Sequence, residues 1–209
     1  MARPESQALA GYFPTPPELL ASVASLVELR PLAGYRRHHI LVDPCAGEGH
    51  AIETLCRLWL PDQDPEDPPI AGEIFGIELE AVRYSKLAGR LLPCHHFHGD
   101  AFHFAIAGAE EPGHGASLLF LNPPYDSDKL HGRLEQRFLE RWTACLAPGA
   151  GVLVFVVPAH ALAASAGFLA RRFETVRAWR FPAKLFAAFR QVVLLARRRA
   201  APSPEDELV

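Results

Sequence analysis

The sequence predicts an α/β fold in which a mostly parallel sheet of seven strands carries helices on both faces. Short apolar runs that stop abruptly alternate with longer segments of helical periodicity, as in a chain that crosses repeatedly between parallel strands. The run at residues 151–157 is apolar throughout, which is typical of a central strand buried on both faces. Glycine or acidic residues follow several of the runs, where turns lead into helices.

A single domain is expected. The 209 residues are 49% hydrophobic and 22% charged, which fits a soluble domain with a sizeable core. We expect residues 1–200 to form this domain, with a lead-in and first helix at 1–31, a surface insertion at 61–69 and a flexible tail at 201–209. No apolar run reaches the roughly 18 residues of a membrane span, and the N-terminus lacks the apolar core of a signal peptide, so a cytoplasmic location is expected.

The first half of the chain predicts a helix and then alternating strands and helices. Thr15 is a suitable N-cap for the first helix, which has one apolar face and runs to about Arg30, before Pro31 ends it. The other predicted elements of this half are strands at 39–43, 73–78 and 94–98, a helix that follows the turn at 44–49 and extends through residue 60, and a helix at 80–92.

The second half predicts four more strands. The apolar run at 116–121 reads as a buried strand because it is short and is stopped abruptly by Asn-Pro-Pro. The elements that follow it are a helix at 130–146, the central strand at 151–157, a helix at 159–172 and strands at 175–181 and 191–197.

Polar residues and glycines that follow different strands are expected to meet at one edge of the sheet. In an open parallel sheet, ligands bind beyond the carboxyl ends of the strands. This rule brings together Asp43, Gly47, Gly49, Glu78, Asp100, Asn122 and Tyr125.

The loop after the first strand suits a cationic ligand better than a phosphate. Gly47 and Gly49 permit a sharp turn and a close approach of the backbone to a ligand. The loop lacks the Gly-Lys-Ser/Thr of a phosphate-binding loop, and Asp43 and Glu48 would repel phosphate. Such an acidic loop fits a ligand that carries an ammonium or sulfonium group.

Two further carboxylates suit a nucleoside. Glu78 ends the second strand, where a carboxylate can bind a ribose diol. Asp100 could accept a hydrogen bond from an adenine amino group, with Phe102 or Ile77 against the ring. Each carboxylate taken singly also fits a helix cap or a turn.

Residues 122–125, Asn-Pro-Pro-Tyr, form what we call the acceptor motif. The prolines Pro123 and Pro124 restrict the backbone, so that the side-chain oxygen of Asn122 and the carbonyl of Pro123 can point at one position and hold an amino group. Tyr125 offers a flat apolar face on which an aromatic base could stack. The motif therefore suits a planar substrate with an amino group.

The net charge of −3 hides an uneven distribution of charge. Basic residues concentrate late in the chain, where a polyanion could bind, although a solvated surface explains them equally well. They are Arg171, Arg172, Arg177, Arg180, Lys184, Arg190 and the three arginines at 197–199, with Glu174 the only acidic residue among them.

No metal site is expected. His95, His96 and His98 lie in a predicted strand, where alternate side chains point to opposite faces. The four cysteines are scattered without a CxxC pair, so we interpret them as reduced thiols.

The motifs together resemble a known enzyme family. DPCAGEG at 43–49, GIEL at 76–79, GD at 99–100 and NPPY at 122–125 look like the motif series of class I S-adenosylmethionine-dependent methyltransferases that act on exocyclic amines. FPTP at 13–16 and GVLVFVVP at 151–158 resemble segments of the gamma-order N6-adenine DNA methyltransferases. The resemblance covers residues 11–197 and implies a single Rossmann-like catalytic domain.

The resemblance also implies roles for individual residues. In the catalytic motif Asn122, Pro123, Pro124 and Tyr125, the asparagine and the first proline carbonyl would hold the N6 amine, and Tyr125 would stack on the extruded base. Phe186 resembles the second aromatic that packs against that base, with Phe181 and Phe189 nearby. S-adenosylmethionine would be bound by Phe13, Thr15, Asp43, Ala46, Gly47, Gly49, Glu78, Asp100 and Phe102.

The resemblance leaves substrate and partners open. DNA is favoured over RNA as the substrate. Protein-glutamine methyltransferases share the NPPY motif, and a catalytically silent subunit that binds cofactor or nucleic acid is a further alternative. Little sequence follows Arg199, where gamma-order enzymes continue into a target-recognition domain. The chain is therefore a fragment, or a partner domain or subunit supplies recognition, or the substrate is less demanding than a specific duplex site.

Overall fold

The computed structural model describes residues 13–29, 38–59, 71–90, 94–106, 114–125, 127–128 and 132–201. The predicted insertion at 61–69 lies outside the described residues, as does nearly all of the predicted tail at 201–209. None of the helices within the described ranges has the length and apolar character needed to cross a membrane.

Seven strands form one central sheet, and two short strands form a separate hairpin. The strands are β1 (His38–Asp43), β2 (Ala71–Glu78), β3 (Cys94–His98), β4 (Leu118–Leu121), β5 (Ser127–Asp128), β6 (Gly132–Arg133), β7 (Val152–Pro158), β8 (Phe173–Arg180) and β9 (Gln191–Arg198). The order in the sheet is β3-β2-β1-β4-β7-β9-β8. In this spatial order, the five neighbours from β3 to β7 are parallel to one another. Strand β9 runs antiparallel to both β7 and β8, so the predicted mostly parallel sheet of seven strands is confirmed.

Helices cover both faces of this sheet, as predicted. The helices of the described residues are α1 (Pro17–Leu26), α2 (His50–Trp59), α3 (Ala81–Ala88), α4 (Leu134–Trp142), α5 (Leu162–Arg172) and α6 (Ala183–Phe189). On one face, Leu20 of α1 and Leu55 of α2 join the core. On the other face, Leu139 of α4 and Leu169 of α5 are buried.

Strand β7 lies between β4 and β9, as predicted for the most apolar run. Val154 and Phe155 are fully buried in the two separate apolar clusters on opposite faces of the sheet. The removal of both faces from water explains why the strand lacks the alternation of polar and apolar residues. The bounds of all seven sheet strands agree with the predicted ones within two residues.

The N-terminus of α1 differs from the prediction. Pro16 takes the N-cap position and makes no side-chain cap. The hydroxyl of Thr15, the predicted cap, instead accepts a hydrogen bond of 3.1 Å from the side-chain amide of Asn122. A distant contact has therefore replaced the local capping interaction that the sequence favours.

The C-terminus of α1 also lies earlier than predicted. The helix ends at Leu26 rather than near Arg30, and Val27 is extended. The indole N–H of Trp59 donates to the carbonyls of Ala24 and Val27, at 3.3 and 3.0 Å. These contacts supply a donor to carbonyls at the end of the helix, where the last acceptors have no intrahelical i+4 partner.

Three other helical predictions need correction. Helix α4 begins at Leu134 rather than 130, because the β5–β6 hairpin precedes it, and it ends at Trp142 before a 3-10 turn at Thr143–Cys145. Helix α3 ends at Ala88, next to Gly89, rather than at 92. Helix α5 begins at Leu162, three residues late, and α6 was not predicted at all.

The histidines of β3 point to alternate faces, as predicted. The ring of His95 stacks on Phe75, with centroids 4.9 Å apart. His96 and His98 contact Tyr84 from the other face, through a hydrogen bond of 3.1 Å and a stacked ring respectively. Within the described ranges, no three His, Cys, Asp or Glu side chains are grouped as metal ligands would be.

Candidate active site

The carboxyl ends of β1, β2, β3 and β4 share one edge of the sheet because these strands are parallel neighbours. Asp43 at the end of β1 pairs with Gly76 of β2, and Glu78 at the end of β2 pairs with His98 of β3. The predicted set of strand-end residues therefore lies along one edge, as the parallel topology requires.

The segment at 44–49, which we call the glycine loop, is bonded to the end of β2. Gly47 and Gly49 have φ values of 57° and 82°, a conformation that favours glycine. The amide of Ala46 donates to the carbonyl of Ile77 at 2.9 Å, and the amide of Gly47 donates to Oε2 of Glu78 at 2.9 Å. A Cβ at Gly49 would lie 2.6 Å from a terminal methyl of Leu87, so a larger residue here would displace that side chain.

Both oxygens of the Glu78 carboxylate are engaged. Besides the bond from Gly47, its Oε1 accepts from the amide of Glu80 at 2.8 Å and from Nε and Nη2 of Arg83 at 3.1 and 2.9 Å. The side chains of Glu78 and Arg83 are 7% and 16% exposed, so this ion pair is largely shielded from water. Glu78 thus holds the glycine loop against β2, a role that the sequence did not predict.

Asp43 is a buried carboxylate beside the glycine loop. It is 1% exposed and accepts a hydrogen bond from the amide of Cys45 at 3.0 Å. Burial raises the pKa of Asp43 to about 7, and the nearby charge of Glu78 adds to the rise. The group therefore changes its charge near neutral pH.

A pocket lies between the lead-in at 13–16, the glycine loop and the end of β4. It is lined by Pro14, Thr15, Asp43, Cys45, Ala46, His50, Ala51, Phe120 and Asn122. Four of the predicted cofactor-binding or catalytic residues, Thr15, Asp43, Ala46 and Asn122, therefore line one pocket.

Asp100 and Phe102 lie at the end of β3. Asp100 accepts from the amide of Phe102 at 3.0 Å and caps the short 3-10 turn at Ala101–His103. The ring of Phe102 packs against Phe138 with centroids 4.6 Å apart, and the guanidinium of Arg137 lies 4.7 Å from its centroid. Asp100 thus caps a turn, which was the simpler of the two expectations for this carboxylate. The predicted contacts of Asp100 and Phe102 with an adenine ring stay predictions.

The side chain of Asn122 has a defined orientation. Its Nδ2 donates to the backbone carbonyl of Phe13 at 2.8 Å and to Oγ1 of Thr15 at 3.1 Å. A backbone carbonyl can only accept, so the nitrogen of the amide must face Phe13. The oxygen of Asn122 therefore points to the opposite side.

Tyr125 is held on three sides. Its hydroxyl donates to Oδ1 of Asn122 at 2.6 Å and accepts from Nε2 of Gln191 at 2.6 Å. Its ring stacks on Phe13, with centroids 5.7 Å apart and an interplanar angle of 13°. Burial raises the pKa of Tyr125 well above its ordinary value, and the charge of Glu135 adds to the rise, so the hydroxyl keeps its hydrogen.

Phe186 does not stack on Tyr125 in this structure. It is partly buried, and the guanidinium of Arg180 lies 5.5 Å from its ring centroid. Tyr125 is paired with Phe13 instead. The predicted contact of Phe186 with a base stays a prediction.

Sequence reasoning missed Gln191, and it missed the stacking role of Phe13. Gln191 is 4% exposed and begins β9. The available signal was a polar residue at the head of an otherwise apolar strand, since a buried polar side chain requires a partner. Phe13 was assigned to the cofactor, whereas both its ring and its carbonyl contact the acceptor motif.

Solved structures with this fold include several methyltransferases. A Listeria monocytogenes protein assigned as a class I S-adenosylmethionine-dependent methyltransferase is 17% identical, with a TM-score of 0.69 over 88% of this chain and 60% of that one. A protein assigned as the modification subunit of a type I restriction enzyme of Vibrio vulnificus YJ016 is 18% identical, with a TM-score of 0.69 over 95% and 46%. The type I restriction-modification methyltransferase subunit of Streptococcus thermophilus is 16% identical, with a TM-score of 0.60 over 90% and 45%.

These likenesses establish the Rossmann-like fold of class I methyltransferases. The chain spans between 45% and 60% of the length of these three proteins. No curated protein sequence matches it. A family model described as an uncharacterised methyltransferase family (DUF6094) matches residues 2–209. Since the match covers almost the whole sequence, this chain belongs to that methyltransferase family.

Proposed function

We propose that this protein transfers a methyl group from S-adenosylmethionine to the N6 amine of adenine in DNA. The observation that carries the proposal is the orientation of Asn122 at the end of β4. Its amide nitrogen is satisfied by Phe13 and Thr15, so its oxygen, which already accepts from Tyr125, has a second lone pair to accept from a substrate amine. Residues 1–200 would form the catalytic domain.

The residues around the glycine loop fit this cofactor. S-adenosylmethionine carries an ammonium group and a sulfonium group, and it supplies the methyl group when bound. Asp43 offers a carboxylate beside the loop, and the turn at Gly47 and Gly49 permits a close approach of the backbone. Glu78 and Glu48 are paired with Arg83 and Lys86, so it is the charged form of Asp43 that favours a cation there and disfavours a free phosphate.

Asn122 supplies the contact that orients the amine. We propose that its Oδ1 and the carbonyl of Pro123 each accept one hydrogen of the N6 group, which directs the nitrogen lone pair toward the methyl group. Positioning of this kind removes a large share of the activation barrier for a transfer between two bound groups. The ring of Tyr125 would stack on the base after its extrusion from the duplex, because a paired amine cannot reach the site.

A basic surface near the acceptor motif favours nucleic acid over a protein glutamine. Arg180, Lys184 and Arg190 are exposed, and none of the three has an ion-pair partner within the described part of the chain. Arg190 immediately precedes Gln191, which contacts Tyr125. Exposed cations next to an amine-binding site suit the phosphates that flank a target base.

The DNA sequence would be recognised with the help of another domain or subunit. The three similar proteins are longer than this chain, and two of them are described as subunits of type I restriction-modification systems. Exposed arginines contact the phosphate backbone of DNA and discriminate little between base sequences. We therefore propose that a separate target-recognition domain or partner subunit supplies base contacts.

The proposed function predicts N6-methyladenine as the product. Incubation with S-adenosylmethionine labelled in the methyl group and with unmethylated DNA is expected to yield label that is released by nuclease and runs as N6-methyldeoxyadenosine on nucleoside analysis. Synthetic duplexes without adenine serve as the control. Label that survives nuclease and is lost to protease would instead identify a protein substrate.

Cofactor binding is expected to strengthen as the pH rises through about 7. The pKa of Asp43 is raised to about 7 by burial, so the unliganded protein favours its neutral form. Protonated Asp43 therefore contributes to the free energy of unfolding of the unliganded protein at low pH, and this contribution is lost as the pH rises from about 4 to about 7. A bound cation favours the charged carboxylate, so binding below about pH 7 releases a proton.

Calorimetry in buffers with different heats of ionisation measures this proton directly. The wild-type protein is expected to release up to one proton per bound cofactor at about pH 6 and nearly none at about pH 8. The variant Asp43→Asn is the matched control, because it has the same shape and no titrating group. Equal proton release by the two proteins would show that Asp43 is not the linked group.

A further inference from the structure

The antiparallel direction of β9 brings its first residue to the active edge. The parallel strands end at this edge with their carboxyl ends. Strand β9 instead begins there, because Gln191, its first residue, pairs with Pro158 at the end of β7. Its side chain is 4% exposed and reaches the hydroxyl of Tyr125, which lies 66 positions earlier in the chain. A buried amide in this place requires partners, and Tyr125 supplies one.

The direction of each hydrogen bond around Tyr125 can be deduced. A tyrosine hydroxyl has one hydrogen to donate and lone pairs to accept. The Nε2 group of Gln191 can only donate, so Tyr125 accepts there, and its hydrogen is left for Oδ1 of Asn122 at 2.6 Å. The carbonyl of Val156 lies 3.5 Å from the same hydroxyl and is the weaker acceptor.

The same direction of hydrogen bonding continues from Tyr125 through Asn122 to the lead-in at residues 13–16. The amide of Asn122 receives a hydrogen on its oxygen from Tyr125 and donates from its nitrogen to Phe13 and Thr15. Rotation of this amide by half a turn would place its nitrogen against the Tyr125 hydroxyl and its oxygen against the Phe13 carbonyl, where two acceptors would face each other. Contacts at both ends therefore fix the side chain.

We propose that Gln191 is a positioning residue that holds Asn122 with its oxygen toward the substrate, acting through the hydroxyl of Tyr125. The inference rests on the proposed function, in which Asn122 accepts from the amine. Gln191 would touch neither the substrate nor the cofactor. We call the chain of donors from Gln191 through Tyr125 to Asn122 the relay.

Reversing one bond of the relay is the sharpest test. Gln191→Glu keeps the size of the side chain but replaces the donor by an acceptor, so the Tyr125 hydrogen turns away from Asn122. We expect kcat to fall about tenfold or more, because the loss of one oriented hydrogen bond raises the barrier. The dissociation constant for S-adenosylmethionine is expected to change by less than about threefold, since the relay lies on the substrate side of Asn122.

A double-mutant cycle separates the relay from a structural role. Tyr125→Phe removes the hydroxyl and is expected to lower kcat by itself. In the Tyr125→Phe protein, Gln191→Glu is expected to lower kcat by less than about threefold further, because no hydroxyl is left to redirect. A full additional loss in that background would mean that Gln191 acts by another route and would overturn the inference.

Folding is controlled by a neutral variant and by a second glutamine. Gln191→Met also removes the donor but buries no charge, and it replaces Gln191→Glu in the cycle if the glutamate variant does not fold. Gln136→Met is the control for loss of a hydrogen-bonded glutamine, because the amide of Gln136 contacts Glu140 and Ser165 without contacting Tyr125. Equal losses of kcat in the Gln136 and Gln191 variants would reduce Gln191 to a packing residue.

One further measurement does not depend on catalysis. Asn122 is the only asparagine in the sequence, so isotope-labelled asparagine yields one side-chain amide nitrogen signal, shared by two hydrogens, in nuclear magnetic resonance spectra. Gln191→Met and Tyr125→Phe are expected to shift this signal, and Gln136→Met is expected to leave it in place. A signal indifferent to Gln191 would contradict the relay even if DNA is methylated. A signal that responds in a protein that methylates no adenine would contradict only the proposed function.

Discussion

Asn122→Ala is expected to lower methyl transfer to adenine by about 100- to 1,000-fold, the loss typical when a group that orients or stabilises the reacting atoms is removed. The substitution deletes the oxygen that holds the amine and leaves the methyl donor in place. It also deletes the two bonds to Phe13 and Thr15 and the bond from Tyr125, so the stacking of Phe13 on Tyr125 is the described contact that still ties the lead-in to the acceptor motif. We expect a fall in the free energy of unfolding of about 1–3 kcal/mol, because the carbonyl of Phe13 is left without its donor.

Single-turnover rates at saturating cofactor measure the catalytic part of this loss. Asn122→Asp is the graded control, because it keeps an acceptor oxygen while it loses the donor to Phe13 and Thr15 and adds a negative charge. We expect its rate to lie between those of the wild type and Asn122→Ala. Calorimetric titration with S-adenosylmethionine shows whether the variants still bind cofactor. An Asn122→Ala protein that methylates DNA at the wild-type rate would refute the role of the acceptor motif.

The parallel part of the site could be predicted from sequence because it follows from one rule. Each parallel strand delivers its last residue to the same edge, so locating the strand ends was sufficient to group Asp43, Glu78 and Asn122. The burial of the central strand followed from its composition in the same way. These inferences need only local patterns and a topology that the alternation of elements predicts.

The antiparallel part of the site could not be predicted in this way. Gln191 begins its strand, and the rule for carboxyl ends gives no reason to examine it. Its place beside Tyr125 depends on β9 running against β7, a fact of tertiary structure. A polar residue at the head of an apolar strand is a weak signal, since many such residues lie at the solvent.

The lead-in shows how a distant partner overrides a local preference. Thr15 before two prolines favours an N-cap, and only the arrival of Asn122 turns its hydroxyl toward β4. Phe13 likewise uses its carbonyl and ring on residues more than 100 positions away, at 2.8 Å to Asn122 and 5.7 Å to Tyr125. Such contacts are invisible to spacing and periodicity.

Glu78→Ala is expected to weaken S-adenosylmethionine binding by about 100-fold or more. The carboxylate accepts from Gly47 and Glu80 and pairs with Arg83, so its removal leaves the glycine loop bonded to β2, among the described contacts, only through the amide of Ala46 and leaves a shielded guanidinium without its partner. Breaking a buried ion pair on one side costs about 3–5 kcal/mol of folding free energy. The backbone of the glycine loop would then become ordered only when the cofactor binds, and the free energy of this ordering would weaken the binding.

Glu174→Ala is the matched control for this loss. Glu174 also pairs with an arginine, Arg197, at 2.9 Å, but the two side chains are 36% and 37% exposed and lie at the opposite end of the sheet. Such a pair contributes about 0–1 kcal/mol, so we expect unchanged cofactor binding. If Glu78→Ala unfolds, Glu78→Gln retains one acceptor oxygen and is expected to bind cofactor with intermediate affinity. Wild-type affinity in folded Glu78→Ala would mean that the glycine loop keeps its shape without this carboxylate, and that the cofactor makes no essential contact with it.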